Sequence, residues 1–153
     1  MKIIVALVIV VALYFTLFHG SQFKASFVFG GAEYSHNRTQ RGGDLKNHFY
    51  TLGDSDPFGN RQLVQIIELP DGMLPEQYEY YMEPLYKRYK LQPYERDPLT
   101  RVGAFEQTGL KFKSYSTKLE IGDETHIAFY LTSTEERRNN NQVLRELARI
   151  SFD

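Results

Sequence analysis

The residues of this chain best able to do chemistry are its histidines, because imidazole binds metals and transfers protons near neutral pH. There are four of them: His19, His36, His48 and His126. None lies in the H-x-H or H-x-x-x-H spacing that would place two imidazoles on one metal ion. The chain has no cysteine, which excludes disulfides, thiolate nucleophiles, cysteine-bound zinc and iron–sulfur clusters. Local spacing therefore predicts no metal site and no cofactor.

A weaker alternative is a polar site that the fold assembles from separate positions. His36, Asp44 and His48 lie in or just after the polar stretch of residues 30–44, and Asp54 lies in a segment rich in turn-forming residues. Imidazoles and carboxylates brought together in a pocket could bind a small ligand or serve an enzyme. Solvated loop side chains explain the same four residues, and we favour that interpretation.

Sequence signatures of the common enzyme classes are missing. The chain contains no G-x-S-x-G elbow, no Walker loop and no G-x-G-x-x-G fingerprint. Serines have no flanking pattern that would identify a catalytic triad. We therefore predict no catalytic residue and expect the protein not to be an enzyme.

Tyrosine is unusually concentrated in one part of the chain. The chain has eleven tyrosines, and several fall in residues 75–94, where apolar residues recur at the three- and four-residue steps of a helix. The tyrosines predicted to face the core from this helix are Tyr78, Tyr81 and Tyr89. Tyr80 and Tyr86 fall outside that face, and we expect both to be exposed. Exposed tyrosines favour interfaces, so they predict a surface for a protein partner.

Residues 1–22 are strongly hydrophobic, with Lys2 as their only charge. As a helix, residues 3–23 would extend about 31 Å, which matches a hydrocarbon core of about 30 Å. A cleaved signal peptide is the rival interpretation, but small residues do not precede a cut after Gly20, Ser21 or Ala25 in the A-x-A pattern. We therefore predict a membrane anchor, an uncleaved signal anchor in contact with lipid through residues 3–23.

The position of the rest of the chain relative to the membrane follows less directly. Lys2 lies on one side of the predicted span and Lys24 on the other, so the positive-inside rule does not decide the orientation. A short N-terminal tail followed by the bulk of the protein is typical of a signal anchor. We therefore expect the domain on the extracytoplasmic, periplasmic side.

Residues 23–153 predict one soluble α+β domain. Strand patterns occur at residues 23–29 and 61–70, and a three-stranded meander is predicted over residues 100–133. Helices are predicted over residues 75–89, with a bend or break at Pro84, and after an Asn cap at residues 139–141. The polar residues between 30 and 44 are predicted to form an exposed loop. The expected fold is an antiparallel sheet of about five strands with two helices packed on one face.

Net charge and composition limit the classes of function that the protein can have. A formal net charge of −1 argues against nucleic-acid binding, which usually needs a basic domain. We therefore expect a single-pass, membrane-anchored protein-interaction subunit or assembly factor of a cell-envelope complex, without catalysis. The alternative is an extracytoplasmic enzyme or small-ligand-binding domain that uses residues 30–60.

Overall fold

Most of the described residues form one large sheet. A computed structural model describes residues 26–52, 62–70, 72–73, 75–133 and 135–152. Within these ranges there are eight strands: β1 (Ser26–Phe29), β2 (Ala32–Gly42), β3 (Leu45–Thr51), β4 (Gln62–Glu68), β5 (Gln92–Tyr94), β6 (Asp97–Gln107), β7 (Leu110–Ile121) and β8 (Glu124–Thr132). The described helices are α1 (Pro75–Arg88) and α2 (Asn140–Leu147). The sheet is antiparallel throughout and is curled into a half-barrel.

The strand order β1-β2-β3-β4-β8-β7-β6-β5 divides the sheet into two halves. Strands β1 to β4 form one antiparallel meander, and strands β5 to β8 form a second. The meanders join where β4 pairs with β8, from Gln62 opposite Thr132 to Glu68 opposite His126. β4 and β8 are therefore central strands, as the nearly continuous apolar run in β4 predicts.

Each face of the sheet carries its own hydrophobic core. Ile66 of β4 packs in one core with Val143 and Leu144 of α2. The next residue, Ile67, packs in the other core with Met82 of α1. Because successive residues of a strand point to opposite faces, the two helices cover opposite sides of the sheet. We call the side that carries Ile66 the α2 face and the side that carries Ile67 the α1 face.

The predicted fold class is wrong. An α+β domain with about five strands and both helices on one face does not describe a mainly β structure with eight strands and one helix on each face. The physical reason is that the core has two layers of apolar side chains, one on each side of β4 and β8. A helix is needed to cover each layer.

The polar residues that predict an exposed loop in fact form β2, the strand next to the sheet edge. β2 pairs with β1 on one side and with β3 on the other, so neighbouring strands satisfy its backbone polar groups. Gly30 and Gly31 have φ values of 61° and 78° and form the two-residue hairpin turn before it. Most of its side chains lie in solvent, which removes the apolar alternation that would identify a strand.

The two helices agree with their predicted positions. α1 continues through Pro84, which lies on the exposed side of the helix, so the helix is not broken there; the other predicted outcome, a bend at Pro84, stays a prediction. α2 is capped by Asn139, whose Oδ1 accepts a hydrogen bond from the Gln142 N–H at 2.9 Å. The Gln142 side chain accepts in return from the Asn139 N–H at 3.0 Å, which completes a capping box. The predicted Asn cap is confirmed.

The predicted membrane anchor, residues 1–22, and the predicted lipid contact through residues 3–23 lie outside the described residues. In the part of the chain that the structure describes, no helix is long and apolar enough to cross a membrane. α1 has 14 residues and α2 has 8, whereas a spanning helix needs about 20 apolar residues. The prediction of a single-pass membrane protein with an extracytoplasmic domain is corrected accordingly. The domain boundary at residue 22 stays a prediction.

A close backbone approach fixes the link between α1 and β5 against β6. A Cβ built on Gly103 would lie 2.5 Å from the Lys90 carbonyl oxygen and 2.6 Å from Ser114 Oγ. Ser114 Oγ itself donates a hydrogen bond to the Tyr89 carbonyl oxygen at 2.8 Å. Only a residue without a side chain fits between these groups.

We expect Gly103→Ala to lower the free energy of unfolding by about 1–3 kcal/mol, because the α1–β5 link must move to admit the methyl group. Gly42→Ala is the matched control, since a Cβ there meets nothing closer than Asn47 Nδ2 at 4.0 Å. Urea unfolding of the two variants and the parent measures the difference. Equal midpoints for the two variants would contradict the close approach.

Candidate functional site

The two tyrosines predicted to form a partner surface differ in exposure. Tyr80 is 76% exposed, as expected, and its ring lies 5.6 Å from that of Tyr81. Tyr86 is only 6% exposed and belongs to the core on the α1 face, so its predicted exposure is wrong. Tyr86 follows Met82 by four residues and therefore shares its helix face. Whether Tyr80 contacts a partner stays a prediction.

Tyr86 is held in place by a charged neighbour. The guanidinium carbon of Arg101 lies 4.0 Å from the centre of the Tyr86 ring, and Arg101 Nη2 donates to Glu79 at 3.0 Å. Burial raises the pKa of Tyr86 to about 12, although Arg101 acts against this shift. The Tyr86 side chain is therefore a neutral part of the core on the α1 face.

A connected group of polar side chains lies on β2, β3 and β4. We call it the Thr39 cluster; it consists of His36, Thr39, His48 and Glu68. Each member faces the α2 side of the sheet, because Thr39 pairs with His48 and His48 pairs with Ile66. Two of the four, His36 and His48, belong to the alternative polar site that the sequence predicts.

A β-bulge in β2 brings the cluster together. His36 pairs with Tyr50 of β3, but Arg38 pairs with Phe49, so Asn37 is an extra residue between the two pairs. In a regular strand, residues three apart point to opposite faces. The extra residue changes this alternation and places His36 and Thr39 on the same face.

Short hydrogen bonds connect the four side chains in a line. His36 Nε2 lies 2.9 Å from Thr39 Oγ1, and Thr39 Oγ1 lies 2.9 Å from His48 Nδ1. At the far end His48 Nε2 lies 2.7 Å from Glu68 Oε2. Lys46 Nζ also lies 3.2 Å from that carboxylate oxygen.

The direction of these hydrogen bonds follows from the charge states. Burial lowers the pKa of His48, and the bond to Glu68 offsets this only in part, so the ring is neutral at pH 7. Burial opposes ionisation of Glu68, but hydrogen bonds from His48 and Lys46 outweigh it and lower the Glu68 pKa. An ionised Glu68 can only accept, so His48 carries its proton on Nε2.

The remaining bonds are then determined. With the proton on Nε2, His48 Nδ1 is an acceptor, and the Thr39 hydroxyl donates to it. Thr39 has one hydroxyl proton, so its oxygen must accept from His36 Nε2–H. Burial lowers the pKa of His36, which keeps that ring neutral as well. The Thr39 hydroxyl is thus aimed at a neutral imidazole whose other nitrogen donates to a carboxylate.

A second line of charged groups borders the cluster on the same face. Lys46 pairs with Arg41 on β2 and with Glu68 on β4, and Glu68 pairs in turn with His126 of β8. His126 is 1% exposed, and burial lowers its pKa although Glu68 and Glu124 act in the opposite direction. Beside this line lies a cavity of about 390 Å³, lined by Arg41, Gly43, Asp44, Leu45, Lys46, Glu68, Leu69 and Pro70.

The structure brings together only part of the predicted polar site. His36 and His48 are joined through Thr39, whereas Asp44 lines the cavity and has no hydrogen bond or ion pair with the histidines among the described contacts. Asp54 lies outside the described residues. Among the residues that the structure covers, no group of three or more side chains is arranged to hold a metal ion. Sequence reasoning missed Thr39 and Glu68, which no motif or spacing identifies.

A separate feature is the end of the β6–β7 hairpin. β5 pairs with β6 only as far as Val102, so within the described chain residues 103–107 have β7 as their sole neighbouring strand. Phe105 and Phe112 face each other across the hairpin with ring centroids 5.1 Å apart. Leu110 is 36% exposed at the turn. A cavity of about 530 Å³ adjoins the hairpin, lined by Ala104, Phe105, Glu106, Lys111, Phe112, Lys113, Ser133, Glu135 and Glu136.

Comparison with protein-family models, with curated proteins and with solved structures finds no match to this chain. No activity or partner is therefore carried over from a relative. The proposals below depend on the contacts of the Thr39 cluster and of the β6–β7 hairpin.

We expect the free energy of unfolding to fall as the pH falls below about 6.5, the pKa of an ordinary histidine. His36, His48 and His126 all have lowered pKa values in the folded chain. Below pH 6.5 the unfolded chain binds protons that the folded chain does not, so acid favours unfolding. The pKa of Glu68 is also lowered in the folded chain, so the same argument applies to it. Its contribution to stability is lost only at more acidic pH, below the pKa of an ordinary carboxylate.

Urea unfolding between pH 7 and pH 5 tests this expectation. His48→Gln should reduce the slope of stability against pH, because one of the three titrating rings is gone. A slope that the substitution leaves unchanged would show that His48 is not a buried neutral base.

Proposed function

We propose that this domain binds a partner protein by accepting an extended segment of it as an extra strand beside β6. The observation that carries the proposal is the open edge of β6 at residues 104–107, beyond the contact of Gly103 with the Lys90 carbonyl group and next to the cavity of the hairpin. An edge strand presents unpaired N–H and C=O groups that a second chain can pair with. The interaction role predicted from sequence is thus moved from the tyrosines of α1 to the β6–β7 hairpin.

The outermost strands of the sheet are less suited to this role. β1 has four residues, and β5 has three, one of which is Pro93. Short edge strands and proline are the usual protections of a sheet edge against pairing. Residues 104–107 lack both protections, and they belong to an 11-residue strand that β5 covers only in part.

The side chains of β6 indicate which segment fits. Phe105 lies on the α1 face, whereas Ala104 and Glu106 lie on the α2 face, where they pair with Lys113 and Lys111. An added strand would therefore place apolar residues beside Phe105 and basic residues beside Glu106. Neither Glu106 nor Glu135 forms an ion pair within the described residues. The expected partner segment alternates apolar and basic residues.

The test uses a labelled peptide of sequence TVKFKVT, in which apolar and basic residues alternate. The control peptide TVFVKKT has the same composition but lacks the alternation. We expect fluorescence anisotropy to show tighter binding of the alternating peptide. Phe105→Ser should weaken that binding about tenfold, or about 1.4 kcal/mol, because the apolar cross-strand contact is lost.

Val28→Ser is the matched control, since Val28 is an exposed apolar residue, 68% accessible, on the edge strand β1. The Val28→Ser variant should bind the peptide with unchanged affinity, and amide shifts should map the peptide to residues 104–107. Equal affinity for the two peptides, or equal loss in the two variants, would rule out strand addition at β6.

A further inference from the structure

We propose that Thr39, His48 and Glu68 form a nucleophile, general base and orienting carboxylate that hydrolyse a small ester carrying a second carboxylate. The geometry meets the requirements for such a triad. The Thr39 hydroxyl lies 2.9 Å from His48 Nδ1, and His48 Nε2 lies 2.7 Å from Glu68 Oε2. Nucleophile and base are within hydrogen-bond reach, and a third group orients the base.

The exposure of Thr39, His48 and Glu68 suits their proposed roles, because the nucleophile must be accessible and the base shielded from water. Thr39 is exposed, so an ester can approach its oxygen. The His48 side chain is 4% exposed and the Glu68 side chain 26%, so the base is shielded while its carboxylate partner stays ionised. Burial disfavours the protonated His48 ring, and the Glu68 carboxylate offsets part of that cost when the ring takes up the proton from the hydroxyl.

His36 supplies a second function at the same atom. Its Nε2–H donates to Thr39 Oγ1 at 2.9 Å, so the hydroxyl group is hydrogen-bonded to both imidazoles. When Thr39 Oγ1 bonds to a carbonyl carbon, the carbonyl oxygen becomes an oxyanion beside that N–H group. His36 is exposed and can turn to donate to it.

The step is balanced without a cofactor. Thr39 Oγ1 forms a bond to the acyl carbon, its proton passes to His48 Nδ1, and the alcohol leaves with that proton. Water then attacks the acyl-threonine, giving one proton to His48 Nδ1, and the Thr39 Oγ1–carbon bond breaks as that proton returns to Oγ1. The net reaction converts the ester and water into an acid and an alcohol.

Arg41 indicates the class of ester. It follows Thr39 by two residues, so it lies on the same face of β2 about 7 Å along the strand. It lines the cavity of about 390 Å³ together with Lys46 and Glu68. Lys46 is paired with Glu68, whereas Arg41 forms no ion pair within the described residues. A carboxylate on the acyl group can therefore bind Arg41 while the ester carbonyl lies on Thr39.

The proposal is independent of strand addition, since the Thr39 cluster belongs to β2–β4 and the proposed binding edge belongs to β6.

Hydrolysis of 4-nitrophenyl hemisuccinate by the full-length protein is the test, with release of nitrophenolate as the readout. Thr39→Val keeps the branched shape and removes the hydroxyl, so we expect at least a hundredfold loss of kcat/KM. Thr39→Ser should retain activity, because the nucleophilic oxygen remains.

Thr125→Val is the matched control: Thr125 is also a strand threonine, but the hydrogen bonds described for its hydroxyl go to the Glu120 carboxylate and not to an imidazole. It should hydrolyse the ester at the parent rate. Arg41→Gln should raise KM for the hemisuccinate but not for 4-nitrophenyl acetate. Peptide mapping of a reaction stopped early should place a succinyl group on Thr39.

Two results would overturn the proposal. One is a folded Thr39→Val variant, with an unchanged circular dichroism spectrum, that hydrolyses the ester as fast as the parent. The other is a parent protein whose rate does not exceed that of the ester in buffer alone.

Discussion

The antiparallel pairing of β4 with β8 is the contact on which the rest of the described structure depends. It joins two four-stranded meanders that have no other strand pairing with each other among the residues that the structure covers. Val64, Ile66 and Ile67 of β4 have no solvent exposure, so this pairing lies between both cores. Backbone hydrogen bonds in such a dry setting are costly to break. The same pairing places Glu68 beside His126, which anchors the polar line on the α2 face.

The bulge at Asn37 determines which side chains of β2 lie together on the α2 face. Because of this one extra residue, every later side chain of β2 lies on the opposite face from the one that it would occupy in a regular strand. Without it, His36 and Thr39 would lie on opposite sides of the sheet, and the hydrogen bonds from His36 to Thr39 and from Thr39 to His48 would not form in one line. Bulges are often found next to functional sites because they redirect side chains in this way.

Some of this structure can be predicted from sequence, and the reasons for success and failure are physical. β4 is recognisable because both of its faces are buried, and α2 because Asn139 caps an amphipathic repeat. β2 is not recognisable, because most of its side chains lie in solvent and pairing with neighbouring strands stabilises it. The burial of Tyr86 follows from its four-residue spacing to Met82. The bulge at Asn37, and with it the Thr39 cluster, depends on register between strands and has no local signal.

The central claim is that this register aims the Thr39 hydroxyl at a neutral His48 held by Glu68. Long-range proton–nitrogen NMR correlation of the histidine rings at neutral pH tests it directly, because the nitrogen shifts report which ring atom carries the proton. The account predicts a protonated Nε2 and an unprotonated Nδ1 on His48. A proton on Nδ1 would contradict it, because Thr39 could then not donate to that nitrogen.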